Sequence, residues 1–329
     1  MRSKTQLSAI ILSALFMTWL LAGPAVAGDV PDKDAAKAKA AAKPLNFLGF
    51  QYDEKGAGTP AAFSKLSLKL YGGYSHVLAA DVNEGSDYWF ELIEANVAEG
   101  FGTFTGGYKP LHGGYNFGAD LIYQLSPSVG IGLGVGYMRN SSDSLATFSI
   151  ETDTVDITAT GTLTAMPIRL GVFFSVPMGG KLSLTANAGA AYYLGLKFDG
   201  TQGLEFAADD WMRMTLEANE RSGADIGFHG ALGFEYKLSS KLGFFVEAVG
   251  RYAKFKNFET VTGISESAGG IPDTTEGRLY ILTQQIEGYE ITGFTIEETT
   301  PMPDPGETYR EPKIDLSGFS LQTGIRIRF

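Results

Sequence analysis

Gly318-Phe-Ser-Leu-Gln-Thr-Gly-Ile-Arg-Ile-Arg-Phe329 ends the chain, and its residues alternate without interruption. Phe319, Leu321, Thr323, Ile325, Ile327 and Phe329 fall on one face, Ser320, Gln322, Gly324, Arg326 and Arg328 on the other. Successive side chains of a strand point to opposite faces, so this segment reads as a strand with one apolar and one polar, cationic side.

The opposite end of the chain says what bathes the apolar side. Arg2 and Lys4 precede an apolar stretch from Leu7 to Ala22, and Ala25, Val26 and Ala27 supply a small-residue cleavage pattern. Residues 1–27 therefore read as a secretory signal peptide cut after Ala27. Their apolar core is shorter than the ~20 residues that span a bilayer as a helix. Residues 28–64, an Ala, Lys, Asp and Pro mixture followed by Gly56, Gly58 and Pro60, read as a flexible periplasmic tail. An exported chain closing on an amphipathic strand with a terminal aromatic fits a closed barrel in a Gram-negative outer membrane, here over residues 65–329.

The intervening sequence repeats the pattern. Leu66, Leu68, Leu70 and Tyr74 oppose Lys65, Ser67, Lys69, Tyr71 and Ser75 in a strand from Lys65 to about His76. A second runs from His112 to Leu125 and turns at Ser126-Pro127-Ser128. In the third, Val129, Ile131, Leu133, Val135 and Tyr137 alternate with Gly130, Gly132, Gly134 and Gly136, which makes room inside a narrow wall for long side chains opposite. Strands over Ile168–Val176 and Leu182–Leu194 join at Pro177-Met-Gly-Gly180, strands over Ile226–Leu238 and Leu242–Tyr252 join at Ser239-Ser240, and an eighth begins near Ile314. Short and long connections alternate. The expected fold is thus all-β: a transmembrane antiparallel up-and-down barrel of eight strands, with short periplasmic turns and long extracellular loops. Ten strands is the alternative, because Leu279–Ile286 and Tyr289–Ile296 form a further candidate hairpin, read here as projecting beyond the membrane.

No cysteine is present, which excludes a disulfide framework and a thiolate metal site. The net charge of -11 is carried by the long connections, which argues against nucleic acid as a partner.

With these strands in hand, residues 65–329 resemble the small outer-membrane β-barrel family of OmpW-like, OmpX-like and opacity-type proteins. The most specific element is the terminal strand, whose Phe319, Leu321, Ile325, Ile327 and Phe329 look like the signal read by the barrel-assembly machinery. The resemblance implies a fold and a cell outer membrane location, with lipid and lipopolysaccharide as surroundings; it implies no loop ligand.

The inward faces carry Lys65, Lys69, Asp120, Arg169, Asp225, His229, Glu235, Glu247, Arg251, Arg326 and Arg328. Charges of both signs in a narrow interior are expected to pair as a plug, because unpaired ions in low dielectric are costly. Arg326 and Arg328 are placed to reach Glu247, and Glu235 lies on the strand next to Arg251. The other reading is a constricted pore.

The three histidines are His76, His112 and His229. No serine stands beside His229 for activation, so no catalytic site is assigned and the chain reads as non-enzymatic. His76 and His112 flank the first long connection, but two imidazoles without a third ligand make a poor metal site. No cofactor is implied. Two connections have helical periodicity: Trp89, Leu92, Ile93 and Val97 after Ser86, and Leu204, Ala208, Trp211 and Ala218. At least one is expected to cover the opening. The function expected is surface interaction or envelope integrity through acidic loops. Alternatives are a narrow OmpW-like channel for small or hydrophobic solutes and a lipid-modifying enzyme.

Overall fold

The computed structural model describes residues 65–98, 100–151, 153–206, 210–221, 226–256, 258–286 and 288–329. The signal peptide, its cleavage point, the tail, Ala208 and Asp225 lie outside the described residues.

The strands are β1 (Leu66–Val77), β2 (Thr103–Gly107), β3 (Gly113–Gln124), β4 (Val129–Ile150), β5 (Asp153–Gly179), β6 (Leu182–Phe206), β7 (Trp211–Arg221) and β8 (Ile226–Lys237). They continue as β9 (Leu242–Tyr252), β10 (Lys254–Phe255), β11 (Phe258–Ser267), β12 (Asp273–Ile286), β13 (Tyr289–Glu297), β14 (Glu307–Arg310), β15 (Ile314–Asp315) and β16 (Gly318–Arg328). Two helices, α1 (Ala80–Ser86) and α2 (Tyr88–Ala98), lie between β1 and β2.

Eight of these strands form a ring, β1-β3-β4-β5-β6-β8-β9-β16 and back to β1, with every neighbouring pair antiparallel. The terminal strand closes it, with Lys69 opposite Arg326 on one side and Asp120 on the other. Three tight turns gather at one end, the turn end. At two of them a serine hydroxyl organises the backbone: Ser126 Oγ accepts from the Val129 N–H at 3.1 Å, and Ser239 Oγ from the Leu242 N–H at 3.1 Å. At the third, between β5 and β6, Gly179 and Gly180 have φ of 111° and 57°, which only glycine adopts without strain.

The ring is apolar outside and charged inside. Leu170 is 64% exposed, Phe228 60% and Leu121 49%, whereas Glu235, Asp120 and Glu247 are 2%, 3% and 4% exposed. Tyr115, Phe117, Tyr192, Phe228, Tyr252 and Phe319 project at one rim of this belt, and Tyr123, Phe174, Tyr236, Phe244 and Phe329 at the other. An apolar belt of this extent marks a surface that meets lipid or protein rather than water.

Beyond the belt the structure departs from the sequence reading. β4, β5 and β6 run for 22, 27 and 25 residues, more than twice the ~10 that a tilted strand needs to cross a bilayer. The second and third long connections are therefore mainly strand, not loop. Alternation continues there with reversed sense. On β5, Ala159, Gly161 and Leu163 face inward and are buried, while Thr158, Thr160, Thr162 and Thr164 face outward. The second helical reading is overturned for the same reason: Leu204 sits on β6, and Trp211 and Ala218 on β7, because period-two pairing of β6 with β5 and of β7 with β6 and β11 outweighs weak helical spacing. The first is a helix, α2. The candidate hairpin over 279–296 is β12–β13, outside the ring, so it adds no ninth or tenth ring strand.

Candidate functional site: the filled interior and its cap

Inside the ring, the side chains that alternation sends inward meet in three groups. At the turn end Glu235 holds two cations, Arg326 at 3.3 Å and Arg328 in a close contact. Arg326 also donates from Nε to Ser67 Oγ at 3.0 Å. Next, Lys69 Nζ lies 2.6 Å from Glu247 and 4.3 Å from the centre of the Phe245 ring. Arg169 donates to Asp120 at 2.7 Å and stacks over Tyr71 at 4.6 Å. The glycine wall of β4 gives these groups their space: a Cβ on Gly134 would collide with Asp120 Oδ1.

The pairing differs from the expected one. Arg326 and Arg328 reach Glu235 rather than Glu247, and Glu247 takes Lys69 from the strand on the far side of β16. Among the described residues Arg251 meets no carboxylate. It stands opposite His229 in register, and donates to the carbonyls of Leu316 and His76 and the hydroxyls of Ser320 and Ser75, all between 2.6 and 2.9 Å. The register of the β8–β9 hairpin separates Glu235 from Arg251 along the wall, with Glu235 opposite Phe245 near the turn and Arg251 opposite His229 at the far end. Lys65 is exposed at the turn end, away from these groups. His229 is half-buried, and its Nδ1 has no hydrogen-bond partner among the described residues.

At the far end the ring is covered. Val77, Val82, Leu111, Leu163, Phe198, Phe255, Leu316 and their neighbours form a buried apolar cluster across the ring mouth, and Trp89 and Phe90 of α2 pack in a second with Phe148, Ile157 and Leu204. Polar contacts tie this cap down. Asp81 accepts from Arg310 at 2.5 Å and from the Lys313 N–H at 2.6 Å, Glu84 accepts from Arg310 at 2.8 Å, and the Ser86 carbonyl accepts from Gln202 at 2.9 Å. Asp87, between the helices, is pushed up to about 7 by burial and by the neighbouring Glu91 and Glu94 charges. Burial also raises Glu91 above the usual carboxylate range.

The polar partners Ser67, Tyr71 and Ser75 are legible from the alternation of β1. Asn140 is not, because it lies past the point where the sequence reading ended the third strand; it donates to the carbonyls of Ser75 at 3.0 Å and His112 at 2.8 Å. His76 and His112 do come together, with ring centres 5.0 Å apart. Among the described residues no group of three or more His, Asp or Glu side chains gathers as a metal cluster would.

No curated protein matches the sequence. Among solved structures the chain is similar to a major outer membrane protein from Thermus thermophilus, at 13% identity over 80% of this chain and 99% of that one, with a TM-score of 0.34. A family model described as the outer membrane protein beta-barrel domain matches residues 56–270, most of the ring and its extension. The chain belongs to the outer membrane protein beta-barrel domain family.

Proposed function

We propose that the ring is an eight-stranded transmembrane barrel serving as a non-conducting, non-enzymatic anchor. It holds a folded β-extension at the cell surface, where the extension acts in surface interaction or envelope integrity. The observation that carries this reading is the filled interior: ion pairs occupy the lumen and an apolar cap lies across its far mouth. A pore needs a continuous wet path, and a packed aliphatic and aromatic layer opposes one.

The reading also sets the orientation. Short turns face the periplasm and the extension faces outward, with lipid and lipopolysaccharide against the belt and the terminal strand presented to the assembly machinery. The extension's exposed carboxylates, Asp143, Asp156 and Glu205, make it acidic toward any ligand.

The test is single-channel recording of the full chain in planar bilayers, beside the variant in which residues 139–164 are replaced by a tight turn. Silence from the full chain is the expected result, and stepwise currents from it would favour the OmpW-like channel. In cells lacking the protein, the full chain is expected to restore adhesion or detergent resistance and the shortened variant to fail. Equal rescue by both would remove the extension from the function.

A further inference from the structure

We propose that His76 and His112 form a two-imidazole binding site for a divalent ion of the zinc, copper or nickel class, on the outer surface of the barrel at its extracellular rim. Oxygen ligands from a lipid phosphate or from water complete the shell. The location at headgroup level rests on the membrane reading above, whereas the imidazole pair does not.

Three features of the site support it, and a fourth selects the completing ligand. The first is spacing. An imidazole bound at ~2.1 Å puts its ring centre about 3.2 Å from the ion, so two rings at a roughly tetrahedral angle have centres about 5 Å apart. The His76 and His112 rings are separated by 5.0 Å.

The second is tautomer control. His112 Nδ1 lies 2.9 Å from the Val77 carbonyl, which can only accept, so Nδ1 carries the proton and the neutral ring keeps its Nε2 lone pair. A backbone carbonyl on the second ring nitrogen is the usual support for a ligating histidine. The third is fixation. His76 stacks on Phe319 with ring centres 5.1 Å apart and planes 28° apart, and Val77 N–H donates to the His112 carbonyl at 3.0 Å. Both imidazoles are therefore held on the wall, half-exposed, and the sequence could show neither their distance nor their supports.

The fourth is charge. Arg251, on the lumen side of the same wall, donates to the His76 carbonyl at 2.8 Å. Its positive charge works against a bare dication and favours an anionic oxygen as the completing ligand, which a lipid phosphate supplies and water does not.

The experiment is a titration of the purified full chain with zinc, and with cobalt as a spectroscopic probe, in a phosphate-free detergent. Wild type, His76→Asn, His112→Asn and His229→Ala are compared after heat-modifiability shows each to be folded. Each rim variant is expected to bind at least about tenfold more weakly, the range seen even for lost supporting groups, with His229→Ala unchanged. Equal affinity in the rim variants, or no wild-type binding below millimolar metal, overturns the proposal. Repeating the titration in vesicles with and without phosphate-bearing lipid separates the oxygen sources: tighter binding with phosphate assigns the lipid, and equal binding assigns water. Failure of the chain to enter vesicles at all would count against the membrane reading and leave the detergent titration to judge the imidazole pair.

Discussion

β4, β5 and β6 run through both the ring and its extension, and β5 changes polarity between the two. On β5, Leu170 projects outward and Arg169 inward within the ring; some ten residues earlier Thr160 projects outward and Ala159 and Gly161 lie inside. One strand thus passes from a segment whose surroundings are more apolar than its interior to one whose surroundings are more polar. The comparison shows that period-two alternation fixes sidedness, while the medium on each side decides which side must be greasy.

In the ring, stability depends on pairing charges that cannot be hydrated. Glu235→Ala would strand Arg326 and Arg328 in the interior, and breaking such a buried network is expected to cost about 3–5 kcal/mol. Urea unfolding in lipid vesicles, followed by the heat-modifiable gel shift, checks this; a loss under 1 kcal/mol would mean that water reaches those groups. In the extension, stability depends on an apolar core of the ordinary kind. Phe90→Ala is expected to remove about 3–4 kcal/mol from the docking of α2. Amide exchange over residues 80–98 should then rise sharply while the β1–β16 and β8–β9 ladders stay protected.

The polarity reversal has its own test on a single strand. Leu170→Arg places a charge in the belt and is expected to cost about 2–3 kcal/mol, whereas Thr160→Arg on the extension should stay within about 0.5 kcal/mol. Equal effects would erase the distinction between the regions. The smallest expected effect is a pH dependence confined to the cap. Asp87 rises from its ordinary 3.8 to about 7 in the folded chain, because burial and then Glu91 and Glu94 disfavour its charge. A group raised on folding contributes stability that is complete below its unfolded value and is lost as pH rises through its folded one. Exchange protection of α1 and α2 should therefore weaken between about pH 4 and pH 7, and Asp87→Asn should flatten that profile. A wild-type profile already flat would show Asp87 to be hydrated.

Much of the ring could be read from the chain. The alternation over Leu66–Val77 and Gly318–Arg328, the serine turns at Ser126 and Ser239 and the glycine wall of β4 are local signals, each expressed within a few residues. The extension was less legible because β5 alternates apolar-in and threonine-out there and β4 buries Asn140, Ser142 and Ser144, patterns that read as polar loop when apolar-out is expected. Helical spacing from Leu204 to Ala218 misled for a related reason: four residues fit a helical stripe, but pairing with β5 and β11 settled their conformation.

By itself, the sequence determined which side chains share a face, where the chain turns back, and that charges of both signs point into one interior, because these follow from a two-residue period and turn chemistry. Only the tertiary structure decided that Glu235 holds Arg326 and Arg328, that Lys69 reaches Glu247 past β16, that the upper strands and helices cover the mouth, and that His76 meets His112. Those outcomes depend on strand shear and on contacts between segments as much as 259 positions apart, as with Ser67 and Arg326. No local periodicity encodes a register, since a slip of two residues keeps the inward and outward faces of each strand intact and changes every partner across it.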